Sequence, residues 1–358
     1  MIRCRGWLIQ SSKPNVHLGE KLSISTEALF KKITVLNSRS VSVEDENTFN
    51  ISWGIDKNYQ LGAAISIASI LFHNQNKDNY FTFHIISNEF EDSFIRRLKK
   101  LADQYSTVIK LYIIDPEPLY ELPKTDIWPI SVYYRILSFE YFSNKLKKIL
   151  YLDADVICKG GIDELIKMDI DQVYGAIVKD VNSVQNKNAQ RLKDDKYVGK
   201  YFNSGVMYIN LEEWRNNQLT KKTFTLLCDE KILGVLKYPD QDILNIMLFD
   251  KVKFLPRKFN AIYSLKSEFE IKNSSYYKDF INTDTIFIHY TGITKPWHDW
   301  ANYESAYCYR FIYSQSPWKD EPYLPAKKKY ELKEKYKHLI YQKKYIKGLI
   351  TALQYNLA

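Results

Sequence analysis

Cysteine is scarce in this chain. Only four of its 358 residues are cysteine, Cys4, Cys158, Cys228 and Cys308, and they lie far apart with no C-x-x-C or histidine pairing. That excludes a disulfide framework and a structural zinc site as organising devices, and a reducing cytosol suits such a chain. Long apolar runs are missing too, since nothing approaches the roughly 18 residues that a membrane span requires. At the N-terminus Arg3 and Arg5 precede Gly6-Trp7-Leu8-Ile9, but Gln10, Ser11, Ser12 and Lys13 end the run well short of a secretory core. The expectation is a protein that is not secreted and meets membranes only from outside. A basic channel through the main body is also absent. Of the net charge of +9, residues 327–358 carry nine Lys against two acidic residues, so the remainder is nearly neutral. This argues against a nucleic-acid partner and for a basic appendage that seeks an anionic surface.

What is present is bulk and aromatic surface. With 45% hydrophobic residues the chain can bury a large core. Its 28 Tyr, 18 Phe and 7 Trp lean toward contact with sugars, interfaces or headgroups. Residues 1–47 are polar and mixed and read as a lead-in. From Phe49 the pattern alternates between strand and helix. Strands are expected at Phe49–Ile55, Tyr80–Ile86, Val108–Ile114, Ile149–Val156, Val173–Val178, Tyr201–Asn210 and Thr285–His289. Helices are expected at Leu61–Phe72, Glu91–Tyr105, Val132–Phe142 and Asp240–Phe249, and Val181–Lys200 reads as a mobile polar loop. Strands alternating with helices predict a parallel sheet covered on both faces.

The chemistry centres on Ile149-Leu150-Tyr151-Leu152-Asp153-Ala154-Asp155-Val156, an apolar strand ending in two carboxylates. Side chains at i and i+2 of an extended segment point the same way, so Asp153 and Asp155 are expected to face one spot. Two like charges there need a cation, and Mg²⁺ or Mn²⁺ with substrate phosphates is the natural occupant. The D-x-D spacing also occurs at Asp169/Asp171, read as solvated turn residues, and at Asp240/Asp242, which opens a helix. His289 ends an apolar strand and is placed to complete the metal site, although a lone histidine there can equally be a hydrogen-bonded structural residue. Gly292 permits close backbone approach, and Lys295 offers a point charge suited to a diphosphate.

Six ordered stretches, WGIDKNY at 53–59, YYRI at 133–136, YLDAD at 151–155, YFNSGV at 201–206, YPDQDILN at 238–245 and HYTGITKPWH at 289–298, resemble the bacterial retaining glycosyltransferases of family 8. The likeness is greatest to the lipopolysaccharide core glucosyl- and galactosyltransferases, and it extends through SPWKDE at 316–321. The resemblance implies a GT-A nucleotide-sugar transferase fold, a Rossmann-like mixed sheet flanked by helices, over residues 48–310. A basic amphipathic extension would follow at 311–358. It implies a UDP-hexose donor, UDP-glucose or UDP-galactose, and a divalent cation held by Asp153, Asp155 and His289. Within Gly54, Ile55, Asp56, Lys57, Asn58 and Tyr59, the carboxylate of Asp56 and the amide of Asn58 would hold uracil, with Tyr59 stacking nearby. Arg135 would support the nucleotide and the donor sugar, Ala154 would leave room for the ribose, and Gly292 and Lys295 would contact the diphosphate. Asp180, Asn203, Asp240 and Gln241 would surround the hexose, Asp180 being aligned only through a one-residue insertion. Gln241 is a poor nucleophile, which favours front-face attack over a covalent intermediate. Asp240 can also serve as a helix N-cap.

Two other readings compete. A haloacid-dehalogenase-type phosphatase also places D-x-D after an apolar strand, but near the start of its domain and with no role for HYTGITK. A sugar-surface binding module without catalysis would have no need of intact Asp153, Asp155, His289 and Gln241. The family reading further implies a lipid A-core lipopolysaccharide acceptor, with α-1,2 or α-1,3 linkage, on the cytoplasmic face of the bacterial inner membrane. From Leu332 to Leu353 apolar residues recur at helical spacing among lysines, as in a segment that lies on anionic headgroups or one that packs on the main domain.

Overall fold

A computed structural model describes residues 2–4, 7–9, 26–37, 48–75, 80–125 and 128–358. The chain divides into two compact units, each made of several pieces. One comprises Met1–Gln60, Asp78–Ala154 and Asp163–Arg257, the other Leu61–Lys77, Asp155–Ile162 and Lys258–Ala358. The strands are β1 (Ile2–Cys4), β2 (Trp7–Ile9), β3 (Phe30–Asn37), β4 (Phe49–Gly54), β5 (Phe81–Ser87), β6 (Val108–Ile114), β7 (Lys148–Leu152), β8 (Val156–Cys158), β9 (Gly175–Lys179), β10 (Phe202–Asn210), β11 (Val252–Phe254), β12 (Ala261–Ser264) and β13 (Phe287–Thr291).

The first unit is built on an eight-stranded sheet in the order β11-β9-β10-β7-β4-β5-β6-β3. Its centre, β7-β4-β5-β6, is parallel, as the strand-helix alternation predicts. It becomes mixed at the edges, where β10 runs antiparallel to β7 and β9, and β3 antiparallel to β6. The strand β5 is buried at every position, and its polar His84 is satisfied there between Tyr112 Oη and Asn50 Oδ1, each at 2.9 Å. The helix Asp92–Tyr105 buries Phe94, Leu98, Leu101 and Ala102 on one face and stops where Ser106 turns left-handed at φ 52°. Helix Tyr134–Ser143 packs closely on β4. A Cβ at Gly54 would sit 2.7 Å from Tyr134 Cβ, so only glycine admits that approach.

Two expectations are corrected in this unit. The stretch read as a mobile loop holds helix Asn182–Leu192 and a short turn of helix at Asp195–Tyr197. Its buried face is made of Gln185, Asn188 and Ala189, so apolar periodicity could not reveal it. The lead-in supplies structure as well: helix Thr26–Leu29 and β3, which pairs along its length with β6. Edge position leaves Ile33 and Val35 exposed, which blurs the pattern of a core strand. Residues 10–25 and 38–47 of that lead-in lie outside the described residues.

The second unit holds the three-stranded sheet β12-β13-β8. His289 falls inside β13, between Val156 and Ile262, and not at the strand's end. The helix Gln60–Asn74 lies in this unit except for its first residue, and it fixes the exit of β8. Cys158 N–H donates to Ser69 Oγ at 2.9 Å and Ile162 N–H to Asn74 Oδ1 at 3.1 Å. The basic extension is two helices, Lys329–Tyr341 and Tyr345–Leu357, where the spacing suggests one. The break is Lys343, at φ 61°. The two helices pack through Gly348, where a Cβ would meet Ile340 Cδ1 at 2.7 Å. Among the described residues no helix is long and apolar enough to cross a membrane.

Candidate active site

In the first unit, β7, β10 and three helices gather most of the expected donor-site residues. Arg135, in the first turn of Tyr134–Ser143, is buried and extends its guanidinium in several directions. It donates to Ser204 O at 2.7 Å and to Asp153 Oδ1 at 2.8 Å, stands 3.2 Å from Asp240 Oδ2, and lies 4.7 Å above the Tyr151 ring. One cation thus joins two carboxylates 87 positions apart in the chain, which removes the repulsion that would otherwise oppose burying them. Burial pushes the Asp240 carboxyl above its ordinary value, Arg135 pulls it back, and Asp153 adds to the rise. Asp240 is in the first turn of helix Pro239–Met247, whose N-cap is Tyr238, so its side chain is not the cap.

Gln241, beside it, ties the remaining members together. Its Oε1 accepts from Ser204 N at 3.1 Å and Asn203 Nδ2 at 3.2 Å, and its Nε2 donates to Asp180 Oδ2 at 3.0 Å and Tyr201 Oη at 3.2 Å. A backbone N–H can only donate, so the bond from Ser204 settles which end of the amide is oxygen. Asp180 also accepts from Val181 N at 2.7 Å, and Asn203 Oδ1 from Gly205 N at 3.0 Å. The WGIDKNY and YYRI segments touch where Gly54 lies against Tyr134 and Arg135. Asp56 accepts from Asn58 N at 2.8 Å to start the turn Lys57–Tyr59, and Ser131 Oγ donates to it at 3.4 Å. Ile55 is buried, Lys57 pairs with Glu91 at 3.3 Å, and Asn58 is exposed.

In the second unit a single carboxylate is the focus. Asp155 lies 3.2 Å from His289 Nε2 and is held by Lys295 Nζ, which also donates to Tyr290 O at 3.0 Å. The other His289 nitrogen faces Asn260 Oδ1 at 3.2 Å, a partner that fixes the ring. Burial alone would raise the Asp155 carboxyl, but Lys295 and His289 together outweigh it and hold the group well below the usual carboxylate range. Gly292 adopts φ +88°, and a Cβ there would lie 3.0 Å from Ser264 Oγ. Asp153, Asp155 and His289 form a set of ligand types that can hold a divalent metal ion. Oxygen and imidazole donors with one carboxylate already charged fit a hard cation such as Mg²⁺ or Mn²⁺.

Several participants escaped sequence reasoning. Asp242 is fully buried, salt-bridged by both Arg191 nitrogens at 2.7 and 2.8 Å, and accepts from Tyr201 Oη at 2.6 Å and from the N–H groups of Lys237 and Tyr238. It is the capping carboxylate of this helix start. Ser204, Tyr201, Arg191 and Asn260 were likewise unassigned. The YFNSGV motif carried the only sequence signal for Ser204 and Tyr201, and YPDQDILN that for Asp242.

A mixed α/β sheet with helices around it and acidic groups at strand ends defines a GT-A fold. The solved galactosyltransferase LgtC, in complex with donor and acceptor sugar analogues, shares it with a TM-score of 0.61 at 23% identity over 75% of this chain and 96% of that one. Residues 50–301 match the glycosyl transferase family 8 model and residues 303–358 its C-terminal companion, so the chain belongs to glycosyl transferase family 8. A lipopolysaccharide 1,2-glucosyltransferase of Escherichia coli is 58% identical over 94% of this chain and 99% of its own length. A lipopolysaccharide 1,3-galactosyltransferase of Salmonella typhimurium is 36% identical over 87% and 91%.

Proposed function

We propose that this chain moves a hexose from UDP-glucose or UDP-galactose to the outer core of lipopolysaccharide, with retention, to form an α-1,2 or α-1,3 linkage. The observation that carries the reading is the Asp155 carboxylate held between the Lys295 ammonium and the His289 imidazole, two residues after Asp153. Near full-length likeness to a lipopolysaccharide glucosyltransferase supports the acceptor. Asp153, Asp155 and His289 would hold Mg²⁺ or Mn²⁺, which when bound neutralises charge on the departing diphosphate. Lys295 leaves Asp155 for the diphosphate and supplies a second positive charge, with Gly292 giving the backbone room to approach. Asp56 and Asn58 read uracil, Tyr59 stacks, and Arg135 holds the donor while keeping Asp153 and Asp240 in place. Asp180, Asn203, Asp240 and Gln241 enclose the hexose. The Gln241 carbonyl, an amide oxygen and so a poor nucleophile, is held in hydrogen bonds from Ser204 and Asn203. That favours front-face attack, with Gln241 and Asp240 stabilising positive charge on the ring.

The exposed apolar face of the last helix, where Ile346 is 77% and Leu353 63% accessible, supports a peripheral seat on anionic lipid at the cytoplasmic face of the inner membrane. The test of the catalytic reading is UDP release from UDP-glucose and from UDP-galactose, with and without chelator, alongside a generic phosphate ester. Metal-dependent release from one UDP-hexose is expected. Phosphatase activity, or release unaffected by EDTA, would overturn it.

A further inference from the structure

The helix Lys329–Tyr341 does more than carry charge. Its His338 is fully buried and bonds on both sides: Nε2 to Thr294 Oγ1 at 3.0 Å, Nδ1 to Tyr303 Oη at 2.6 Å. Trp300 Nε1 donates to the same Thr294 hydroxyl at 3.1 Å, and the Trp300 ring stacks 4.1 Å from His298, whose Nδ1 accepts from Lys295 N at 3.1 Å. From His338 the contacts run through Thr294 to Lys295, directly along the chain and again by way of Trp300 and His298. The same helix grips this loop elsewhere, with Lys335 on Asp299 at 2.8 Å, and Gln342, just past its end, donates to Trp300 O at 2.8 Å.

We propose that His338 is a positioning residue for Lys295, acting through Thr294, so that donor binding depends on a side chain from the basic extension. This rests on the reading that Lys295 contacts the donor diphosphate. Burial keeps the imidazole neutral, with its pKa lowered to about 3, so one nitrogen donates and the other accepts. Thr294 Oγ1 already accepts from Trp300. With Thr294 O–H donating to Nε2 and Nδ1–H donating to Tyr303, the threonine hydroxyl makes one bond of each kind. Only the Nε2 side leads to Lys295.

That asymmetry gives the test. Glutamine places its amide near the Nε2 position and asparagine near Nδ1. UDP affinity with Mn²⁺ and the KM for UDP-hexose are measured for H338Q, H338N and H338L, with thermal midpoints beside them. H338Q is expected to rescue both to within about twofold of the native protein. H338N and H338L are expected to weaken both by about tenfold, the upper end of what one neutral hydrogen bond is worth, while kcat changes less. The pair T294V and T294S probes the contact from its other end if the tail variants fold poorly, serine restoring what valine loses. Equal behaviour of H338Q and H338N, or losses that simply follow the thermal midpoint, would overturn the proposal. K295M sets the scale. If K295M leaves UDP affinity unchanged, the diphosphate reading of Lys295 fails and this proposal with it. If K295M weakens UDP while H338Q and H338N match, only the role of His338 is lost.

Discussion

Asp153/Asp155 and Asp240/Asp242 share one spacing and have different fates. The first pair sits in the turn that leaves β7, where Asp153 stays partly open on Arg135 and Asp155 is enclosed by Lys295 and His289. The second pair sits in the first turn of a helix, where residues two apart point to opposite sides. Asp240 accordingly faces Arg135, while Asp242 turns away into Arg191, Tyr201 and two backbone N–H groups. The third pair, Asp169/Asp171, lies in solvent, with Asp169 accepting from Asp171 N at 2.9 Å in a local turn. A D-x-D triplet therefore means nothing by its spacing alone. What each carboxylate does is set by the backbone that aims it and the cation it meets.

Removing either member of the first pair should break catalysis most. Asp153→Ala is expected to cost on the order of 10³-fold in turnover while leaving the fold intact, because Arg135 keeps Asp240. Asp155→Ala should be as severe and also less stable, since it leaves Lys295 buried without its carboxylate. Transfer rates and thermal midpoints check both, and near-normal turnover by Asp153→Ala at saturating donor would sink the metal assignment.

The second pair should separate cleanly. Asp242→Ala leaves Arg191 and two N–H groups without their acceptor and is expected to destabilise by about 3–5 kcal/mol, read from urea midpoints. Asp240→Asn keeps the shape and is expected to fold normally yet lose roughly 10²-fold in kcat. Reversed outcomes, a stable Asp242→Ala with impaired chemistry and an active Asp240→Asn, would exchange their roles.

Buried histidines weaken the protein in acid. His84, His298 and His338 are each lowered to about 3 by burial, so they stay neutral in the native state. An unfolded histidine takes up a proton below about 6.5. Stability is therefore full above that pH and falls as the pH drops from about 6.5 toward 3, by up to about 1.4 kcal/mol per pH unit for each histidine. Urea midpoints at pH 7.5 and 5.5 should differ accordingly, with H338L reducing the slope. A flat profile would contradict the buried neutral assignment. The smallest effect belongs to the third pair. Asp169→Asn or Asp171→Asn should change stability by less than about 1 kcal/mol, since the Lys148–Asp171 pair is at the surface.

The central strands and the amphipathic helix at Asp92–Tyr105 were legible because each buries a regular apolar face. The residues of the six motifs were legible too, since resemblance named them and the fold brings them together within each unit. Helix Asn182–Leu192 was not, because what anchors it is Arg191 on Asp242, a pairing across 51 positions that no local period records. The edge strand β3 was hidden by the exposure of Ile33 and Val35. Asp242 reads in the sequence only as part of a helix opening, and its inward turn onto Arg191 follows from the helix geometry; the split of the extension at Lys343 needs a backbone angle that no composition announces.

Retention at the anomeric carbon is the most direct test of the account. Purified protein, Mn²⁺, UDP-glucose or UDP-galactose and truncated lipopolysaccharide core would be incubated together, and the product's anomeric configuration and linkage position read by NMR. The account predicts an α-linked hexose from one of the two donors, formed without a covalent sugar adduct on Asp180 or Asp240. A β-linked product, or a catalytically competent adduct on either aspartate, would contradict it.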